Sequence, residues 1–188
     1  ISCPIGVGMR NTVQTIIGTI DRFTQRLGSG LSWLGLVMML ITVMVVFLRY
    51  GFDIGWIAMQ EAVLYLHAAI FMLGMAYTLK HDGHVRVDVF YRNFSKRGQA
   101  WVNLLGFVFL LLPICAFIGV MSFEYVQASW ALRETSAEAG GLPWVYLLKS
   151  LILLMVAALM LQGIAEFLRS LSVILGWTEA GEEGVDHG

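Results

Sequence analysis

The sequence predicts an all-α integral membrane protein: four transmembrane helices running up and down, both termini in the cytoplasm, preceded by an amphipathic interfacial helix. Three observations carry this. Hydrophobic residues make up 58% of the 188-residue chain and charged ones 13%, with a mean hydropathy of +0.75, values foreign to a soluble domain. Four segments reach the ~20 apolar residues needed to cross a hydrocarbon core of ~30 Å. Lysine and arginine gather on one side of those segments.

Taken in order, residues 1–10 read as a disordered leader, since "ISCPIGVG" follows no pattern and Met9 is the expected natural start. Residues 11–28 place Val13, Ile16, Ile17, Ile20, Phe23 and Leu27 at spacings of three and four, with Asp21, Arg22 and Arg26 off that stripe. This predicts an amphipathic helix lying on the inner leaflet. The four-helix domain covers 31–171, with spans at about 31–50, 55–79, 100–124 and 143–168. The first and third are uncharged up to Arg49 and Glu124; the second holds Glu61 and His67, the fourth Lys149 and Glu166. Short polar joins make each helix antiparallel to its sequence neighbour, and only helix satisfies the backbone within hydrocarbon. Pro113 predicts a kink in the third span. Residues 176–188 are acidic and Gly-rich, a flexible tail.

Arg10, Arg22 and Arg26 precede the first span, Lys80, Arg86, Arg92, Lys96 and Arg97 lie between the second and third, and Arg169 follows the fourth. With four spans these share one side, while the other side has only Arg49 and Arg133, so the positive-inside rule puts both termini in the cytoplasm. Trp33, Trp101 and Trp177 near the inner ends and Trp56, Trp130 and Trp144 near the outer ends form the two aromatic belts.

Several chemistries are excluded. Cys3 and Cys115 fall at different depths and cannot pair. There is no phosphate-binding loop, no dinucleotide fingerprint and no set of nucleophile, base and orienting group, so no catalytic residue is expected and the chain is not read as an enzyme. A haem held between helices needs a second histidine facing His67, and no other span supplies one. His81 and His84 flank Gly83, which favours a turn over a metal site. No nucleic-acid partner is expected.

Arg49, Glu61, Glu124 and Lys149 all fall in the outer half of the membrane, two positive and two negative. They predict a static ion-pair network, most simply Arg49 with Glu61 across the first hairpin. A proton or ion relay needs polar groups continuing across the bilayer, and below that layer only Tyr65, His67, Tyr77, Gln162 and Glu166 remain. Repeats and interrupted helices, the usual makings of a transporter's midplane site, are not visible. The chain therefore reads as one subunit of a larger assembly.

The stretch "FLRYGFDIGWIAMQEAVLYLHAAIFMLGMAYTLKHDGHVRVDVF" resembles the small membrane subunit of tripartite ATP-independent periplasmic (TRAP) transporters. In that family an Arg-Tyr closes the first helix, as Arg49 and Tyr50 do, a glutamate opens the second, as Glu61 does, and a Gly-His-x-x-Val-Asp motif follows it. That motif stands here as Gly83, His84, Val87 and Asp88. "SWALRETSAEAGGLPWVYLLKSLI" is similar to the outer loop and fourth-helix start of the branch labelled for mannitol or chloroaromatic compounds. Many members carry an arginine shortly after the helix-two glutamate, where Leu64 and Tyr65 stand here. The resemblance spans about Leu31 to Leu171.

It implies a non-catalytic scaffold subunit in the bacterial inner membrane, part of a sodium-coupled importer of an organic carboxylate. Its partners would be a large multi-span membrane subunit, a periplasmic substrate-binding protein and membrane lipids. Neither metal nor cofactor is expected beyond bound phospholipid at the subunit interface. Within this frame Arg86, Arg92, Lys96 and Arg97 pin the cytoplasmic hairpin to the anionic inner leaflet, at about 1 kcal/mol for each basic group near the surface. His84 and Asp88 hydrogen-bond within the turn. Arg133, Glu134 and Glu138 of the outer loop are the residues expected to steer docking of the binding protein. Two alternatives stay open: a membrane anchor of a respiratory oxidoreductase, and a small exporter coupled to protons through Glu61.

Overall fold

The computed structural model describes residues 4–81, 83 and 94–177, with side chains throughout except at 4–7 and 9. Among the described residues there are no strands, and four helices are long and apolar enough to cross a membrane. They are α1 (Pro4–Phe52), α2 (Ile57–Lys80), α3 (Lys96–Leu132) and α4 (Val145–Ile174).

α1 differs from expectation. Residues 1–3 of the leader expected over 1–10 lie outside the described residues; from Pro4 onward one helix runs without interruption to Phe52, so the helix expected over 11–28 is not separate from the first span. Gly28 and Gly30 do not interrupt it, since a helical glycine costs only about 1 kcal/mol relative to alanine. Gly28 serves close packing instead: a Cβ there would lie 2.1 Å from Tyr77 Cδ2, so its missing side chain is what lets α1 approach α2. The faces are also redistributed. Asp21 turns inward with the buried Thr24, Gly28 and Leu31, whereas Ile16 and Phe23 of the apolar stripe are exposed. α1 stops where Asp53 adopts a left-handed conformation (φ 56°), which lets the Ile54 N–H donate to the Leu48 carbonyl at 3.0 Å.

α3 begins at Ser95, whose Oγ accepts from the Gly98 N–H at 3.3 Å. At Phe107–Leu111 it widens into a π-helical turn before continuing as α-helix from Leu112. Pro113 supplies the reason, since it lacks an N–H and its ring collides with the carbonyl four residues earlier. The extra residue in the wider turn relieves that collision, which is the form the expected kink takes. The turn seats on α4 at Gly163, where a Cβ would come within 2.6 Å of Leu111 Cδ2 and 2.7 Å of Phe107 Cε2.

The spans do not close into a square bundle. α4 packs against α1, α2 and α3, α1 also packs against α2, and α2 and α3 hardly touch. Consequently α4 holds half of the buried residues among those described, Gln162 and Ala165 at 0% exposure included. The centre of the unit is a sulfur-rich apolar cluster of Cys115, Met155 and Leu159, flanked by Met72, Met75, Ile118, Val156 and Met160. α1 and α3 keep wide apolar faces outward, with Phe47, Phe109, Phe117 and Val120 each at least 60% exposed.

Candidate functional site

Two polar groupings lie at opposite ends of this frame, and the outer one is built by the loop between α3 and α4. α3 ends in a left-handed residue, Arg133 (φ 47°, ψ 51°), so that the Arg133 N–H reaches the Trp130 carbonyl and the Glu134 N–H the Ser129 carbonyl. This double bond pattern satisfies the last carbonyls of the helix, a task usually given to glycine. Holding a non-glycine residue there costs roughly 1–2 kcal/mol. Compensation comes from the guanidinium, which lies 5.4 Å from the centres of both the Trp130 and Tyr146 rings, themselves packed edge to face at 4.7 Å.

The reversal throws Glu134 back toward the bundle. Its carboxylate accepts from Ser129 Oγ at 2.6 Å and pairs with Lys149 Nζ at 2.5 Å. Lys149 in turn sits 4.0 Å above the Tyr125 ring. The Lys149 bond, and after it the Ser129 bond, hold the Glu134 carboxyl below its ordinary value of 4.5. Trp130 Nε1 donates to Ser150 Oγ at 2.7 Å, a further tie between α3 and α4.

Beyond Glu134 the loop crosses to α2. Glu61 accepts the Leu142 backbone N–H at 2.6 Å and the Ser136 hydroxyl, while the Ser136 N–H donates to the Leu142 carbonyl at 3.1 Å. Gly141 makes the crossing possible, because a Cβ there would fall 2.5 Å from Ser136 Oγ and 2.8 Å from Glu61 Oε1. The neighbouring Gly140 (φ 84°) supplies the left-handed turn that brings Gly141 round. Two acids thus clamp one loop: Glu134 to α4, Glu61 to α2. One turn below Glu61 the Tyr65 hydroxyl is buried without a hydrogen-bond partner among the described residues.

The ion-pair network expected of the four outer charges is corrected in two respects. Glu61 does not pair with Arg49; the loop delivers neutral donors to it instead. Lys149 finds its counterion in Glu134, a loop residue expected to face the binding protein. Among the described residues Arg49 and Glu124 have no ion-pair partner, and both are exposed on the outer sides of α1 and α3. Of the expected docking residues, Arg133 and Glu138 are exposed and Glu134 is turned in.

The inner grouping was only partly anticipated. Thr24, 2% exposed, donates to Gln162 Oε1 at 2.8 Å, and Gln162 Nε2 donates to Asp21 at 3.1 Å and Glu166 at 3.2 Å. Arg169 bridges the same two carboxylates, at 2.7 Å to Asp21 and 2.5 Å to Glu166. This closed set ties the inner half of α1 to α4. Asp21 had been read as lying off the apolar stripe of an amphipathic helix; its i, i+3 spacing to Thr24, continued by Gly28 and Leu31, was the available signal. Beside it, Gln25 Oε1 meets Lys80 Nζ at 2.7 Å and the His81 ring at 3.1 Å, fixing the end of α2.

His84, Val87, Asp88, Arg86 and Arg92 lie outside the described residues. Gly83 donates its N–H to the Thr78 carbonyl at 2.9 Å. Lys96 and Arg97 are exposed at the start of α3, and Arg97 Nη2 reaches the Ile174 carbonyl at 3.3 Å, where a cation suits the negative end of α4. His67 is exposed on the outer side of α2, its ring stacked on Phe71 at 6.4 Å. Among the described residues no group of three metal-ligating side chains gathers.

The arrangement holds a loop and locks helices; between its two polar layers the interior is apolar. Searches of curated proteins and of solved structures give no match. The family model for the DctQ component of tripartite ATP-independent periplasmic transporters matches residues 38–173, from within α1 to the last turn of α4. A four-span helical unit with a clamped outer loop and a match over most of its length leads to one assignment: the chain belongs to the DctQ family, bacterial inner-membrane components that work with a large membrane subunit and a periplasmic binding protein.

Proposed function

We propose that this chain is the non-catalytic scaffold subunit of a sodium-coupled, binding-protein-dependent importer of an organic carboxylate. The observation that carries the scaffold role is the double clamp on the outer loop. Glu61 and Glu134 spend their carboxylates on the Arg133–Trp144 connection, so acids that could have titrated during transport are committed to holding shape. Below them the apolar cluster around Cys115 and Met155 offers a proton or ion no continuous polar route, which argues against the exporter reading. His67 faces outward, so a haem bridged between two histidines of this chain is not favoured either.

Sodium coupling and a carboxylate substrate rest on the family and belong to the large subunit. The docking role rests on the loop: Arg133 and Glu138 stand exposed on a connection that is stiffened from beneath, a good platform for a protein arriving from the periplasm. The basic residues Arg86, Arg92, Lys96 and Arg97 serve the inner leaflet.

Purification of the tagged chain from native membranes in mild detergent tests the reading. A co-purifying multi-span subunit and a visible spectrum without haem bands are expected; soluble redox subunits with a haem band would sink it. Charge reversal at Arg133 and Glu138 should slow uptake and alter its salt dependence, and unchanged transport would remove the docking role.

A further inference from the structure

α2 packs against α1 and α4, with Ala76 buried and most of its other residues half-buried. The exposed exceptions are Leu64, His67 and Phe71, three residues at spacings of three and four that form one stripe. Leu64 and Phe71 are 63% and 64% exposed. His67 lies between them, and between Ile57 and Lys80, the two ends of the helix. At 1.5 Å per residue it sits about 15 Å from one end and about 20 Å from the other, too far for a short side chain to reach either interface. A neutral imidazole carries one N–H donor and one acceptor nitrogen. Among the described residues neither has a hydrogen-bond partner, and the stacking on Phe71 satisfies neither. Hydrocarbon offers nothing to bond, and ionisable side chains at this depth face the interior of a helix bundle.

We infer that the Leu64–His67–Phe71 stripe of α2 is the seat of the large membrane subunit, which brings a hydrogen-bonding or acidic side chain against His67. The two unpartnered ring nitrogens of His67 select this occupant. A lipid tail would leave both ring nitrogens bare, whereas a neighbouring helix carrying a hydroxyl, amide or carboxylate group satisfies them, with Leu64 and Phe71 packing above and below. The inference rests on the chain being the small subunit of such a transporter and adds which face it presents.

The test uses the whole transporter in its native membrane, with a benzoylphenylalanine photocrosslinker in place of Leu64, Phe71 or, as a control on the outward face of α3, Phe117. Crosslinks to the large subunit from 64 and 71 exceeding those from 117 are expected. Crosslinks from 64 and 71 to lipid or to a second copy of the chain, while the large subunit still co-purifies, would overturn the inference and leave the proposed function standing. Loss of co-purification from the unsubstituted chain would overturn both. In parallel, His67→Phe should lower recovery of the large subunit about three- to tenfold, the worth of one interhelical hydrogen bond in a bilayer, and His67→Gln should recover most of it. Recovery unchanged or raised in His67→Phe would mean that the histidine faces lipid.

Discussion

Glycine 141 shows how narrowly the outer clamp is fitted. Its missing Cβ is the space that Ser136 and the Glu61 carboxylate occupy, so Gly141→Ala must push the loop off α2. The expected result is a lower melting temperature for the detergent-solubilised chain and faster proteolysis within the loop; an unchanged melting curve would show that the loop relaxes without loss. Glu134 adds a pH dependence whose sign follows from its lowered titration point. A carboxylate depressed in the folded state stabilises fully above its unfolded value of 4.5, and that contribution fades as pH falls through the lower folded value. The thermal unfolding temperature of the detergent-solubilised chain should therefore drop as pH falls through that window, and Glu134→Gln should flatten this dependence; an unchanged pH profile in the variant would show that the Glu134 pair contributes nothing. Little of this was legible beforehand, because a sequence shows that Glu61 and Lys149 are charged but not that a loop residue folds back between them.

At the scale of elements, the π-helical turn of α3 and Gly163 of α4 form one fitted contact, with Phe107 and Leu111 lying where a side chain at 163 would go. Gly163→Leu overpacks this contact and should destabilise the chain by about 1–3 kcal/mol, read as a downward shift of thermal unfolding. Gly35→Leu, at an open position on α1, should leave unfolding unchanged. Equal effects would mean that the turn adapts. Pro113 announced a distortion of α3 correctly, while its form depended on what α4 offers opposite. The same limit applies to α1. Its apolar periodicity is plain in the sequence, yet the face turned inward is the one bearing Asp21 and Thr24, because Gln162 and Arg169 stand ready for them in α4. Amphipathicity alone cannot distinguish water from a polar partner.

For the whole molecule, hydropathy and the distribution of basic residues sufficed for four spans, since both depend on composition averaged over some twenty positions. Which spans touch is set by a few small residues such as Gly28 and Gly163, so an up-and-down order does not by itself tell that α4 gathers the others. That central place has a consequence in time. α4 is the last span to be made, so α1 and α2 can pair as they leave the ribosome, but α3 enters the bilayer with no helix to rest on. At ~5–20 residues per second, synthesis from Leu132 to Ile174 leaves it waiting about 2–8 seconds. Through that interval Glu134, just past its end, lacks Lys149, and the nascent chain depends on the insertion machinery or an already assembled partner to shelter it.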